Sequence, residues 1–230
     1  MNLLAVDTCS GPSAALAFNG STTSISDLDP SIRAEGISEV VTKLLSDGNA
    51  TWSKLNGLIV GSGPGSFTGL RLSLGFMKGV SSALKLPLIG VASFQGIAAA
   101  FALGAPDLKG ELSVIADARR EELFLQRFVL RGPKLIPIPI SEPEIIAKSL
   151  AIPILAKSIV TLTCDPEFTV SHEMAVKVVL IKDVARGLLE CAKTMTLSDF
   201  SLEHLSSLQP RYLREVAAKT IAQRAVSKGG

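Results

Sequence analysis

The residues whose types and spacing could best support binding or catalysis lie in the glycine-rich stretch GSGPGSFTGLRLSLGFMKG at 61–79. A P-loop requires GxxxxGK[ST], because its lysine reaches the terminal phosphates and its hydroxyl binds magnesium, and that pattern is absent. Gly63, Gly65 and Gly69 give GxGxxxG, which misses the dinucleotide fingerprint GxGxxG by one residue. The nucleophile elbow GxSxG is also absent. Two interpretations remain: backbone N–H groups that bind an anion at a helix start, or glycines that permit positive φ and close packing.

Other reactive groups are few and widely separated. The two histidines, His172 and His204, form no HxxxH pair that could hold a metal ion. Cys9, Cys164 and Cys191 form no CxxC pair, so we predict neither a disulfide framework nor a zinc site, and a reducing compartment is expected. The sequence therefore predicts no metal site.

Composition limits the class of protein. Apolar residues make up 47% of the 230 residues and charged residues 19%, which argues against intrinsic disorder. The net charge of +2 is too balanced for a protein that binds nucleic acid by itself through phosphate contacts. The amino terminus lacks a basic region, and no apolar run approaches the roughly 20 residues of a membrane span. A soluble, cytoplasmic protein without membrane contact is expected.

Apolar periodicity places the glycine stretch between a strand and a helix. The run LNGLIVG before it has the length of a buried strand, and apolar residues recur at helical spacing over 67–84. Around these elements the pattern predicts two hairpin strands at 3–7 and 13–19, a third strand near 22–26, a helix at 34–46, a strand in LPLIGV, and a helix in SFQGIAAAFAL capped by Ser93.

The elements predicted so far form a first α/β lobe, which we assign to residues 1–100. The spacing of apolar residues changes after it. In the second lobe, 101–230, the segment ELSVIADARREELFLQRFVL predicts two strands around a charged turn at 117–122. Ser141 and Glu144 have the spacing of a capping box. A strand in SIVTLTC, a helix over 182–193 and a basic tail after Pro210 complete the lobe, and the alternative that this tail packs back on the first lobe stays open.

Five segments resemble, in the same order, the bacterial TsaB (YeaZ) family: LLAVDTCSGPSAALA, GPGSFTGLR, PLIGVASFQGIA, IADARREEL and PRYLR. The resemblance is strongest over 1–125. Its most specific part is the family motif loop Gly63, Pro64, Gly65, Ser66, Phe67, Thr68 and Gly69. Family members often carry a histidine followed by Ser or Thr before the first long helix, whereas this chain has Glu35-Gly36 there, so contacts of that histidine are in question.

The resemblance implies a two-lobed α/β fold of the actin, sugar-kinase and Hsp70-like (ASKHA) class, with mixed sheets flanked by helices. It also implies a non-catalytic scaffold for the TsaD paralogue, which forms N6-threonylcarbamoyladenosine at position 37 of tRNAs that read codons beginning with A. The TsaE ATPase is an expected further partner, tRNA would be contacted through the complex, and the chain alone would form a homodimer. No cofactor of its own is expected, and ATP or ADP at the partner interface stays open.

Asp7 carries the main alternative function. In ATP-using members of the superfamily an aspartate at the first hairpin helps to hold magnesium near the phosphates, and Asp7 has that place here. The glycines that usually follow it are replaced by Cys9-Ser10. An ATP-binding phosphotransferase or ATPase of the same fold is therefore the alternative, with Asp7 as a nucleotide ligand rather than a turn cap.

The helices at 34–46 and 67–84 carry more apolar positions than one stripe requires, including Leu72 and Phe76. In the family such helices form a bundle across a homodimer and with the paralogue, and extra apolar surface is typical of an interface. The sequence therefore predicts that the partner or dimer interface contains Ile37, Val41, Leu45, Leu70, Leu74 and Met77. The alternative is that all of these side chains face the chain's own sheet.

Overall fold

Two β-sheets, one from each half of the chain, form the framework of the protein. The computed structural model describes residues 1–9, 11–26, 36–132, 136–165 and 176–213. The first sheet contains β1 (Leu3–Asp7), β2 (Ser13–Phe18), β3 (Ser21–Ile25), β4 (Gly57–Gly61) and β5 (Leu88–Val91), in the spatial order β3-β2-β1-β4-β5. The first three strands are antiparallel neighbours, which confirms the predicted hairpin and third strand, while β4 runs parallel to both β1 and β5.

Helices cover both faces of this sheet. The first half of the chain contributes α1 (Ile37–Asp47), a short 3-10 turn (Trp52–Lys54), α2 (Phe67–Leu84) and α3 (Ser93–Gly104). Leu4 and Val6 pack with α1 and α2, whereas Leu3 and Ala5 pack in a second cluster on the opposite face. Successive strand side chains point to opposite faces, so a sheet covered on both sides needs uninterrupted apolar strands.

The second sheet is also mixed. It contains β6 (Gly110–Arg119), β7 (Glu122–Leu130), β8 (Ile138–Pro139), β9 (Glu144–Ala147), β10 (Val160–Thr163) and β11 (Val178–Leu180). Its order is β11-β10-β6-β7-β8, with β9 also paired to β7. The described residues of the second half also contain the helices α4 (Lys148–Leu155), α5 (Val184–Ala192) and α6 (Leu202–Ser207). This architecture of two mixed sheets flanked by helices confirms the predicted α/β fold class.

The two sheets are joined through α3 and α5. Phe94 and Ile97 of α3 enter the core of the second sheet, while Ala99 enters the cluster on the first sheet. The helix α5 crosses α3 at a point where a Cβ on Gly187 would lie 1.8 Å from the carbonyl oxygen of Gly96. Only glycine permits this approach, so the backbones of the two helices are in direct contact.

Two predicted helix caps are wrong. Glu144 belongs to β9, where it pairs with Leu125, and α4 begins four residues later at Lys148 without a side-chain cap. The Ser141 hydroxyl instead accepts a hydrogen bond from the backbone N–H of Arg127 at 3.0 Å. Ser93 is the first residue of α3 rather than its cap, because its hydroxyl is held by groups of the first sheet.

The segment after α5 packs against the first sheet. Leu197 contacts the cluster that contains Leu3, and Leu205 of α6 lies in the core beneath α1 and α2. The backbone N–H of Arg211 donates to the carbonyl oxygen of Ser62 at 2.7 Å. The basic tail from residue 214 onward lies outside the described residues. Among the described helices, none has both the length and the apolar character needed to cross a bilayer.

Candidate functional site: the glycine loop and the outer face of two helices

The family motif loop joins β4 to α2 in a conformation that requires glycine. Gly63 has φ of +94°, and its peptide bond to Pro64 is cis. Its N–H donates to the hydroxyl of Ser93 at 3.0 Å, and its carbonyl accepts from the N–H of Ser93 at 2.9 Å. The loop is thereby fixed to the start of α3, which explains the position of Ser93.

The same loop packs against the turn that follows β1. A Cβ on Gly65 would lie 2.6 Å from the Cβ of Cys9, a distance that atoms do not adopt. The N–H of Ser66 donates to the carbonyl oxygen of Cys9 at 2.8 Å. Ser66 then caps α2, since its hydroxyl accepts from the N–H of Gly69 at 3.3 Å. This geometry corresponds to the close-packing interpretation of the glycines, because their neighbours are the chain's own backbone.

Asp7 lies beneath this loop and is fully buried. One carboxylate oxygen accepts from the backbone N–H of Cys9 at 2.7 Å, and the other accepts from the Ser93 hydroxyl at 2.6 Å. Burial raises the pKa of this carboxyl above its usual value of 3.8, against the lowering effect of these hydrogen bonds. Both of its oxygens accept hydrogen bonds from groups of the chain, which corresponds to the turn-capping role, and a nucleotide role of Asp7 stays a prediction.

The six side chains predicted for a partner interface all lie in the core of the first lobe. Each is at most 6% exposed, because α1 and α2 direct them onto the sheet: Ile37, Val41, Leu45, Leu70, Leu74 and Met77. This burial corrects their assignment to a partner surface and agrees with the alternative that they face the chain's own sheet. An interface on the outer face of these helices stays a prediction, and it would use other residues.

The exposed side of α1 is polar. Five of its side chains line a shallow depression: Ser38, Glu39, Thr42, Lys43 and Ser46. Lys43 also forms an exposed ion pair with Asp47 at 2.7 Å, one helical turn away. Such an exposed pair contributes little to stability. This part of the surface supplies hydrogen-bonding groups rather than apolar area.

The exposed side of α2 is a strip of small residues, which we call the glycine strip: Gly75, Gly79 and Ala83. A Cβ on Gly75 or Gly79 would meet no heavy atom within 4 Å. Glycine in a helix interior costs about 0.5–1 kcal/mol relative to alanine. Packing within the described part of the chain therefore gives no reason for these two glycines. Phe76 and Val80, which directly follow these glycines in the chain, are partly buried against the core.

A second feature joins the start of α2 to the carboxy-terminal end of the described residues, and the sequence analysis missed it. The Nε–H of Arg71 donates to the hydroxyl of Tyr212 at 2.7 Å, and the Arg71 guanidinium carbon lies 3.9 Å from the centroid of the Phe67 ring. The centroids of the Phe67 and Tyr212 rings are 5.1 Å apart. The segments GPGSFTGLR and PRYLR, both part of the family resemblance, therefore meet at the start of α2. Arg71 and Tyr212 are 141 residues apart in the chain, so no local sequence pattern could predict this contact.

The remaining candidate groups do not assemble into a metal centre. Across the described residues, no cluster of three or more His, Cys, Asp or Glu side chains could hold an ion. A ring nitrogen of His204 lies 3.1 Å from the carbonyl oxygen of Leu88, while His172 lies outside the described ranges, as does Glu35. Asp117, at the predicted charged turn, pairs with Lys148 at 3.5 Å and Arg119 at 3.4 Å.

Comparisons with known proteins agree with this architecture. YeaZ from Pseudomonas aeruginosa superimposes with a TM-score of 0.70 at 20% identity, over 92% of this chain and 99% of that chain. A family model for TsaD, tRNA N6-adenosine threonylcarbamoyltransferase, matches residues 33–224. Since that match covers most of the chain, the protein belongs to this family of ASKHA-like α/β proteins.

The curated relatives define the branch. The tRNA threonylcarbamoyladenosine biosynthesis protein TsaB of Escherichia coli (strain K12) is 33% identical over 127 residues, which are 54% of this chain and 53% of the relative. TsaB of Haemophilus influenzae is 31% identical over 132 residues, 56% of this chain and 54% of the relative. The chain spans about half the length of the curated relatives it matches. These similarities support the TsaB (YeaZ) branch of the family that the sequence motifs predicted.

Proposed function

We propose that this chain acts in the biosynthesis of N6-threonylcarbamoyladenosine in tRNA, as a non-catalytic scaffold for a TsaD-type threonylcarbamoyltransferase. The TsaB names of its relatives support the pathway. The glycine strip on α2 is the observation that carries the scaffold role. Its two glycines destabilise the isolated helix and have no contact that would require them, which is expected if a partner's backbone approaches there.

The shape and chemistry of this face fit a helical partner. Helices pack at interaxial distances of about 8–10 Å, and small side chains at the crossing bring them to the short end of that range. The helix α1 packs on the same core cluster as α2. Its polar outer side chains, such as Glu39 and Lys43, would form the rim of the proposed interface. The partner segment we propose is therefore an amphipathic helix with a bulky apolar side chain opposite Gly75 and Gly79.

The proposal assigns the chemistry to the partner. Asp7, the acidic group placed best for a nucleotide, is engaged by Cys9 and Ser93. The further parts of the proposal are recruitment of the TsaE ATPase, contact with tRNA through the complex, and self-association of the chain through the same face when the transferase is missing. ATP or ADP would bind at the partner interface rather than beneath the motif loop.

Light scattering coupled to size-exclusion chromatography tests the scaffold role, using the chain mixed with its cognate TsaD-type protein. The informative variant is Gly79→Leu, which fills the strip and has open space in the chain itself. Gly104→Leu is the matched control, since it places the same side chain at an exposed helical glycine of α3 that also has open space. We expect a complex for the wild type and the control, and a loss of binding of at least tenfold for Gly79→Leu.

Substitutions on the inner side of α2 cannot test the interface. A charged residue in place of Met77, for example, would disrupt the core, because this side chain is fully buried. The functional readout is threonylcarbamoyladenosine in tRNA, measured by nucleoside mass spectrometry in the reconstituted system. A transferase that modifies tRNA at full rate without the chain would disprove the scaffold role. Binding by Gly79→Leu that equals the wild type would instead place the interface elsewhere.

A further inference from the structure

Two cysteines from opposite sheets meet in the interior. Cys9 follows β1 of the first sheet, and Cys164 follows β10 of the second. Their sulfur atoms are 3.1 Å apart although the residues are separated by 155 positions in the chain. Both side chains are buried, with 4% and 3% of their surface exposed. This contact between two thiols joins the two halves of the molecule.

Both backbones are fixed in place. The N–H of Cys9 donates to Asp7, and its carbonyl accepts from Ser66 of the motif loop. Cys164 extends β10, where the carbonyl of the preceding residue, Thr163, accepts from Ile181 at 2.7 Å. A disulfide bond is about 2.05 Å long, so the two sulfur atoms need to approach by about 1 Å for a bond to form.

We propose that Cys9 and Cys164 are a site of reversible oxidative modification, at which a small disulfide such as oxidised glutathione converts the two thiols into a disulfide that joins the two sheets. This inference is independent of the proposed function. In the first step the thiolate of one cysteine attacks a glutathione sulfur, which forms a mixed disulfide and releases one reduced glutathione.

In the second step the other cysteine attacks its neighbour's sulfur and releases the second glutathione. The two protons of the protein thiols pass to the two glutathione thiolates, the protein loses two electrons, and the oxidised glutathione gains them. A thiolate is required in each step. The hydrogen bond with Cys164 and burial raise the pKa of the Cys9 thiol, and the charge of Asp7 adds to this effect. Exchange in the folded protein is therefore slow, and the bond forms mainly when the chain opens or folds.

Cys191 provides an internal control. It is buried, and burial raises its pKa to about 12, but its sulfur lies near the carbonyl of Gln95 rather than near a second thiol. A general reaction of buried thiols would modify Cys191 as well. A reaction that depends on pairing would modify only Cys9 and Cys164.

The test is refolding of the reduced, urea-unfolded full chain in a glutathione buffer with excess oxidised glutathione, followed by acid quenching, alkylation and peptide mass spectrometry. We expect a linked Cys9–Cys164 peptide pair that has lost two hydrogen atoms, with Cys191 alkylated. The oxidised protein should unfold at a temperature roughly 5–15 °C higher than the reduced protein, because the crosslink closes a long loop of the unfolded chain. Dithiothreitol should reverse this shift.

Cys164→Ser should lose both the linked peptide and the shift, whereas Cys191→Ser should retain both. The wild-type peptide map stands by itself if a variant fails to fold. Cys9 and Cys164 that are both alkylated after refolding, or that both carry glutathione, would overturn the proposal. Linkage of either residue to Cys191 would overturn it as well.

Discussion

Asp7 shows at the scale of a single residue why position along the chain does not define a role. Its place at the end of β1 suits a magnesium-binding carboxylate, yet its two oxygens accept hydrogen bonds from Cys9 and Ser93 and no part of it is exposed. Those bonds connect the turn after β1 to the start of α3. The carboxyl group is therefore part of the support for the motif loop.

The raised pKa of Asp7 predicts a pH-dependent effect of Asp7→Asn. The side-chain amide of asparagine can mimic the protonated carboxyl group: its oxygen accepts a hydrogen bond from the Cys9 N–H, and its NH2 group donates one to the Ser93 hydroxyl. A carboxyl whose folded-state pKa is raised stabilises the fold below its usual value of 3.8, and that contribution is lost as the pH rises through the folded pKa. The free energy of unfolding of Asp7→Asn should therefore rise relative to the wild type across this window and stay constant above it.

Urea denaturation at a series of pH values measures this difference. Asp7→Ala is the contrasting variant, since it leaves the Cys9 N–H and the Ser93 hydroxyl without their acceptor. It should cost about 1–3 kcal/mol below pH 3.8, and its difference from the wild type should change with pH in the same sense as that of Asp7→Asn. If the wild type instead becomes more stable relative to Asp7→Asn as the pH rises, the hydrogen bonds lower the pKa of Asp7 by more than burial raises it.

At the scale of elements, α2 serves two surfaces at once. Its inner side supplies Leu70, Leu74 and Met77 to the core, and its outer side carries the glycine strip. Its first turn holds Arg71, which contacts Tyr212 from the end of the described chain. One helix thus connects the motif loop, the proposed partner face and the carboxy-terminal segment.

Gly75→Ala and Gly79→Ala should each stabilise the isolated chain by about 0.5–1 kcal/mol, because alanine loses less backbone entropy in a helix and its methyl group enters open space. Thermal unfolding should show the gain as a melting temperature roughly 1–4 °C higher. Leu84→Ala, near the end of the same helix and exposed, is a control for substitution on α2. A loss of stability in either glycine variant would mean that the strip is already filled in the chain.

Arg71→Ala should loosen the segment around Tyr212 without unfolding the protein. The variant removes the hydrogen bond to the Tyr212 hydroxyl and the cation–π contact with Phe67, each of which is worth about 0.5–1.5 kcal/mol at a partly exposed site. Hydrogen exchange should detect faster exchange of the Arg211 amide, which donates to Ser62. The Asn56 amide, bonded to Asn2 at the far end of β1, should exchange at the wild-type rate. Equal acceleration at both amides would indicate global destabilisation instead.

At the scale of the whole molecule, the two sheets are held together by contacts that leave little space between them. The helices α3 and α5 touch through Gly96 and Gly187, and α3 packs into both cores. The sulfur atoms of Cys9 and Cys164 meet near the same region. The helix α5 from the second half of the chain packs on the first sheet, so we expect the two halves to unfold as one cooperative unit.

Gly187→Ala tests this junction. The added methyl group would lie 1.8 Å from the carbonyl oxygen of Gly96, so α5 has to move away from α3. We expect a loss of about 2–3 kcal/mol, typical of overpacking at a rigid site, and a melting temperature lower by roughly 4–12 °C. Gly104→Ala, an open site on α3, should be neutral or slightly stabilising. A neutral Gly187→Ala would show that the two helices separate freely.

The sequence alone determined the elements that depend on local pattern. Apolar runs and helical spacing predicted β1, β2, β4 and α2, because a strand or helix that is buried on one or both faces must carry that pattern in its own residues. The motif GPGSFTG also identified the family, since it combines a turn and a close backbone approach that few residues permit. The capping box at Ser141 failed because the edge of β7 offered Glu144–Ala147 a strand partner that the local pattern does not contain.

Only the tertiary structure decided which surfaces and groups are available. Ile37 and Met77 have the same apolar character whether they face a sheet or a partner, so their burial in the core follows from how α1 and α2 lie on the first sheet. The contacts of Arg71 with Tyr212 and of Cys9 with Cys164 join residues more than a hundred positions apart. Such pairings depend on chain topology, and periodicity, which reports only neighbours along the chain, carries no information about them.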